Sequence, residues 1–139
     1  MIVVDSSALI AILRRKPEAD SFLQIIASTE GCLLSSVSLL ETSMVLAGRT
    51  GNATVWDDLD AMITRAEIQV VAHDAELAKE ARGAFLRYGK GRHPAALNLG
   101  DCASYALAKR RGLPLLFKGE DFARTDLLPA ALGSREAGK

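Results

Sequence analysis

The 139-residue chain has no charge excess, since 17 Lys and Arg stand against 17 Asp and Glu. No strong global field therefore draws it to nucleic acid or membrane, and any polyanion must be held by local basic patches or metal ions. Cysteine is scarce, with only Cys32 and Cys102. Far apart and in apolar surroundings, they fit no disulfide framework and predict reduced thiols in a reducing compartment. Neither they nor His73 and His93 show the C-x-x-C or H-x-x-x-H spacing of a zinc site. No apolar run is long enough to cross a bilayer. No basic segment precedes the first apolar stretch, which Asp5 interrupts too early for a signal peptide. A cytoplasmic protein with no membrane partner is expected. A glycine-rich P-loop is missing, which makes nucleoside triphosphates poor candidates. Repeats and low-complexity linkers are missing too, so one domain over 1–139 is expected, with 133–139 as a frayed tail.

Apolar residues are plentiful, at 49% of the chain, and their pattern carries the fold. Four runs, IVVD (2–5), CLLSS (32–36), IQVV (68–71) and PLLF (114–117), are rich in Val, Ile and Leu without alternation. Such runs fit strands covered on both faces, hence a parallel sheet. Between them, helices are expected over 7–15, 18–28, 37–48, 53–67, 74–89 and 100–112, with Pro17 opening the second and Gly48, Gly89 and Gly112 as stops. This alternation predicts an α/β fold, a three-layer α/β/α sandwich around a mainly parallel sheet of four or five strands. Binding sites in such folds form beyond the carboxyl ends of the strands.

Four acids fall at that end. Asp5 closes the first strand and could simply cap a helix. Glu41 follows Ser38 in the S-x-x-E spacing of a capping box. The surrounding helix, with Leu39, Leu40, Met44, Val45 and Leu46, reads as apolar nearly all round, so burial would penalise that acid. Asp101 opens the helix after NLG and could serve its dipole. Asp121, in KGEDF after the fourth strand, could start a short helix. Each structural explanation works alone, but together the acids occupy places where Ser, Thr and Asn would serve equally. Carboxylates gathered within a few ångströms cannot all stay ionised without a cation. Hard oxygen donors lacking His or Cys companions select Mg²⁺, or Mn²⁺, over zinc. An acid-held Mg²⁺ points to phosphodiester hydrolysis by metal-activated water.

Positive charge for such a substrate is concentrated between residues 79 and 93. Lys79, Arg82, Arg87, Lys90, Arg92 and His93 lie there with Glu80 as the opposing acid, and the loop YGKGRHPAALNLGD runs into Asp101. A solvated helix face followed by a surface loop would explain this stretch equally simply. Its adjacency to the acids favours single-stranded nucleic acid passing over it. Lys118 adds to that surface or neutralises Glu120.

The stretches VVDSSALIAIL, SSVSLLETSMVL and YGKGRHPAALNLGDCASYALAKRRGLPLLFKGEDFARTDL together resemble the PIN-domain ribonucleases, specifically the VapC toxins of bacterial VapBC toxin–antitoxin pairs. The likeness spans essentially the whole chain. It implies that Asp5, Glu41 and Asp101 bind Mg²⁺, with Asp5 and Asp101 as direct ligands and Glu41 orienting water or a second ion. Ser6 would fix the cluster. Many PIN domains carry T-x-D-x-D-F, with the functional Asp three residues before Phe. Here Gly119 holds that place, and Asp121 is taken as the fourth acid from a displaced position. The resemblance also implies an RNA substrate, a cognate VapB-type antitoxin, a homodimer and toxin–antitoxin hetero-oligomers. Trp56 and Met62 are expected in the core, or in an antitoxin groove if exposed. Two other readings are a non-catalytic PIN-like RNA-binding module and a haloacid-dehalogenase-type phosphatase. The first is disfavoured by the intact acids. The second needs an acid two residues after Asp5, where Ser7 stands.

Overall fold

The computed structural model describes residues 1–51 and 54–131. Four strands form one parallel sheet: β1 (Ile2–Val4), β2 (Cys32–Ser35), β3 (Ile68–Val71) and β4 (Leu115–Leu116), in the order β3-β2-β1-β4. The register pairs Val3 with both Leu33 and Leu115, which makes β1 an inner strand. Ile2, Val3 and Val4 are fully buried. Each such side chain contributes roughly 1.5–3 kcal/mol of burial, and the unbroken apolar run is the signature of a strand covered on both faces.

Six helices supply the cover: α1 (Ser6–Leu13), α2 (Ala19–Ser28), α3 (Ser36–Thr50), α4 (Val55–Arg65), α5 (Ala75–Tyr88) and α6 (Leu99–Arg111). Leu9, Phe22, Ile26, Leu46 and Leu59 pack with Ile2, Val4 and Leu34 on one face of the sheet. Leu77, Ala81, Tyr105 and Leu107 pack with Val3, Leu33 and Leu115 on the other. The expected three layers are present, with the sheet between helices. Cys32 and Cys102 are both buried and unbonded, and burial pushes both thiols upward in pKa.

Four local expectations need correction. The capping box read at Ser38 and Glu41 is absent, because α3 begins earlier with Ser35 as its cap, accepting from the Val37 N–H at 3.2 Å. Gly48 does not stop α3, which runs on to a left-handed Gly51 at φ +67°. That helix is not apolar and buried all round, since Leu40 and Met44 are 61% and 63% exposed. Trp56 is not a core residue either. It is 41% exposed, and its indole N–H donates to the Ser43 carbonyl at 2.7 Å, while Met62 packs against the core. The expected helix start at Ala53 and the tail 133–139 lie outside the described residues.

Candidate active site

Asp5 follows β1 and caps α1. Its backbone N–H donates to the Leu116 carbonyl at 2.9 Å, joining it to β4. The residue is 1% exposed, and its carboxylate is held from both sides. Oδ2 accepts from the Ser7 backbone N–H at 3.0 Å and the Ser7 hydroxyl at 2.6 Å, and Oδ1 accepts from the Ser104 hydroxyl at 2.6 Å. Ser104 comes from α6, 99 residues along the chain. Its single proton goes to Asp5, so Ser38 of α3 must be the donor in the 3.0 Å contact between the two serines. A buried hydroxyl relay thus ties three elements to one carboxylate. Ser104→Ala should leave Asp5 and Ser38 short of partners and cost about 1–3 kcal/mol of stability. Urea unfolding would show this as a lower midpoint at unchanged slope.

Glu41 reaches the same region from α3. Its Oε1 accepts from the Ser6 hydroxyl at 2.6 Å, and its carboxylate lies against Gly100 so closely that a Cβ there would collide with it. Gly100 therefore lets the first turn of α6 approach α3. Asp101 is the next residue, and its backbone is fixed by a cap the sequence reading missed. Asn98 accepts from the Asp101 N–H at 2.9 Å, while Asp101 Oδ2 accepts from the Asn98 N–H at 3.1 Å. The spacing Asn98-x-x-Asp101 carried that signal, with an acid in place of the usual Glu or Gln.

The Asp101 carboxyl is pushed up to about 7, first by burial and then, against the lowering effect of the Asn98 N–H, by the charges of Asp5, Glu41 and Asp121. The fold therefore brings four acids from four places in the chain into electrostatic contact. Asp121 is the outermost, exposed ahead of the short 3-10 turn Phe122–Arg124 without capping it.

The basic residues are arranged differently from their sequence order. Lys79 pairs with Glu76 at 3.8 Å, Glu80 pairs with Arg110 at 3.0 Å, and Arg87 lies 4.0 Å from Asp126 and over the Tyr88 ring. These pairs engage Lys79 and Arg87 on α5, and from the loop that follows, Arg92 Nε donates to the Leu86 carbonyl of α5 at 3.3 Å. Lys90 and Arg92 are exposed on that loop, which is closed by the Lys90 N–H to Leu97 carbonyl bond at 3.0 Å. Lys118 does not neutralise Glu120; its ammonium pairs with Glu18 at 3.6 Å.

Among the described residues, no three His, Cys, Asp or Glu side chains form a group that could by itself hold a metal ion. That argues against a closed, protein-only cage. It is compatible with a small hard cation that takes one or two carboxylates and keeps its waters, as Mg²⁺ does. The donor set is all oxygen, and Asp101 is driven toward its neutral form first by burial and then by the neighbouring acids, whose repulsion a cation would relieve. The residues fit a divalent ion of this kind.

The profile of the PIN domain family matches residues 2–128. This chain belongs to that family. Its relatives place it with the VapC proteins. A VapC ribonuclease of Mycobacterium bovis, Mb0640, is 47% identical over 131 residues, covering 94% of this chain and 99% of the relative. Ribonuclease VapC of Mycolicibacterium smegmatis is 48% identical over 126 residues, 91% of this chain and 97% of that one. Among solved structures, VapC20 of Mycobacterium tuberculosis, a toxin that cleaves the sarcin-ricin loop, superposes with a TM-score of 0.77 at 19% identity, over 94% of this chain and 99% of that one. VapBC2 of Rickettsia felis, bound to promoter DNA, gives 0.69 at 17%, over 93% and 96%. At such identities these two show the shared PIN fold alone.

Proposed function

We propose that this VapC-type PIN domain is a Mg²⁺-dependent endoribonuclease toxin, a single domain acting in the cytoplasm. The observation that carries this is the gathering of Asp5, Glu41 and Asp121 around a half-buried Asp101, whose carboxyl is raised to about 7 first by burial and then by their charges. Relatives of nearly full length named as ribonucleases support RNA as the substrate. Asp5 and Asp101 would hold the ion directly, and Glu41 would act on its waters. When bound, Mg²⁺ supplies polarisation of a phosphoryl oxygen and a lowered pKa for an attached water, with Mn²⁺ able to substitute.

The chain's own residues do the rest. Ser7 and Ser104 hold the Asp5 carboxylate so that it cannot rotate away. Ser6 fixes Glu41, and Asn98 fixes Asp101. Preorganisation of this kind avoids reorientation at the moment of reaction. Lys90, Arg92 and Lys118 would contact the RNA backbone around the acids. No helix among the described residues is long and apolar enough to cross a membrane.

The partner would be a VapB-type antitoxin, within a hetero-oligomer built on a VapC homodimer. A groove of about 420 Å³ between α3 and α4, lined by Leu39, Leu40, Met44 and Trp56, offers apolar surface for it. The test of the catalytic reading is cleavage of total cellular RNA by the purified protein. Defined cut ends with Mg²⁺ that disappear with EDTA are expected. RNA binding without cleavage would instead support the non-catalytic module.

A further inference from the structure

The turn after α1 is unusual for its residue type. Arg15 holds a left-handed φ of +53°, where helices ordinarily end on Gly. Its N–H donates to the Ile12 carbonyl at 3.1 Å, and that of Lys16 to the Ala11 carbonyl at 2.9 Å, the two bonds of a Schellman closure. Curling the chain back in this way brings Arg14 and Lys16, on either side of Arg15, onto one cavity. It has a volume of about 440 Å³, and Ser7, Val45 and Lys118 also line it.

The lining holds three cations and no carboxylate. Arg14 gives one guanidinium N–H to the Val45 carbonyl at 3.4 Å, which steers its head along the wall and leaves further donors available. Among the described residues no ion pair joins Arg14 or Lys16 to an acid. The Lys118–Glu18 pair is exposed on both sides, so an arriving anion loses little by displacing it. Ser7 connects the cavity to the acids, because its hydroxyl donates to Asp5 at 2.6 Å and accepts from the Lys118 backbone N–H at 3.0 Å. A polyanion presented to four carboxylates needs cationic surface beside them for its next charge.

We propose that this cavity is a phosphate subsite, in which Arg14, Lys16 and Lys118 grip the RNA backbone phosphate neighbouring the one presented to the acids. The role rests on the nuclease reading, whereas the charge of the cavity does not. The test is fluorescence anisotropy of a labelled single-stranded oligoribonucleotide in EDTA, with Asp101→Asn as the parent so that nothing is cleaved. Adding Arg14→Gln and Lys16→Gln should weaken binding about fivefold or more at roughly 50 mM salt, flatten the salt slope by about one, and lose most of this difference by roughly 200 mM. Arg111→Gln, at the opposite end of α6 from Asp101, should stay within about twofold at the same low salt. Should the double change fail to fold, Lys16→Gln alone, at an exposed position, carries the same expectation at about half the size.

Equal affinities and slopes for parent and variant would overturn the subsite and leave the cavity to an acidic segment of a partner protein. So would a parent that does not bind the oligonucleotide at all. Failure of the wild type to cleave RNA in Mg²⁺ is a separate outcome that removes the nuclease reading, while the binding comparison still decides the subsite.

Discussion

Asp101→Asn should lower RNA cleavage at least about a hundredfold and abolish growth arrest on expression, with the fold retained. The first part follows from charge, since a hard cation loses an anionic ligand and transition-state stabilisation worth several kcal/mol goes with it. The second follows from the local bonding, because Asn keeps a carbonyl oxygen able to accept from the Asn98 N–H, the contact that Asp101 makes at 3.1 Å. Asp5→Asn should be equally inactive but less stable. Three donors converge on the Asp5 carboxylate, and an amide would turn an NH₂ toward one side of them, at about 1–3 kcal/mol. Cleavage and growth-arrest assays, with urea midpoints alongside, separate the two variants. Growth arrest as strong as that of the wild type from either would contradict the site.

The second large effect is on stability against pH. The folded protein holds a proton on Asp101 up to about pH 7, whereas the unfolded chain releases it near the ordinary value of 3.8. Between those limits the folded state binds more protons, so stability falls as pH rises. This contribution is fully present below 3.8 and lost as pH climbs through about 7. Asp126 runs the other way. Burial acts to raise its pKa, but the Tyr105 hydroxyl and Lys109 bring it below the usual value, so its contribution is present above the ordinary carboxylate range and lost as pH falls through its lowered pKa. The difference between wild type and Asp101→Asn cancels that background. In EDTA, the wild type should lose several degrees of Tm relative to the variant between pH 5 and pH 8. Mg²⁺ at a hundredfold its Kd should return about 2.7 kcal/mol to the wild type at pH 8, and little at pH 5, where a proton already occupies Asp101. Parallel Tm profiles for the two proteins would contradict this.

The layout of sheet and helices was legible because the strands are short runs rich in Val, Ile and Leu and some helices carry a glycine stop, such as the left-handed Gly112, whereas α1 and α3 end where no stop was read. The acids were legible as well, since Asp5 sits at a strand end and Asp101 in a first turn. What escaped were relations across the chain. Ser104 reads as one more small residue in an alanine-rich helix, and its importance appears only when Asp5, 99 positions away, is beside it. Ser38 was read as capping α3, but the cap is Ser35 and the Ser38 hydroxyl reaches Ser104 instead. Leu40, Met44 and Trp56 carry core chemistry, but composition does not say which apolar face finds a partner within the same chain. Lys118 was read against its neighbour Glu120, while the fold presents it to Glu18 on a different element.

The central claim is that Asp5 and Asp101 serve one divalent ion. It is tested most directly by Mn²⁺ binding, followed by electron paramagnetic resonance at pH 8, in wild type, Asp5→Asn, Asp101→Asn and the double variant. The account predicts that either single change weakens binding at least about tenfold and that the double change adds much less than the sum of the two, as for groups acting on one partner. Undiminished binding in either single variant, or strictly additive losses, would contradict it.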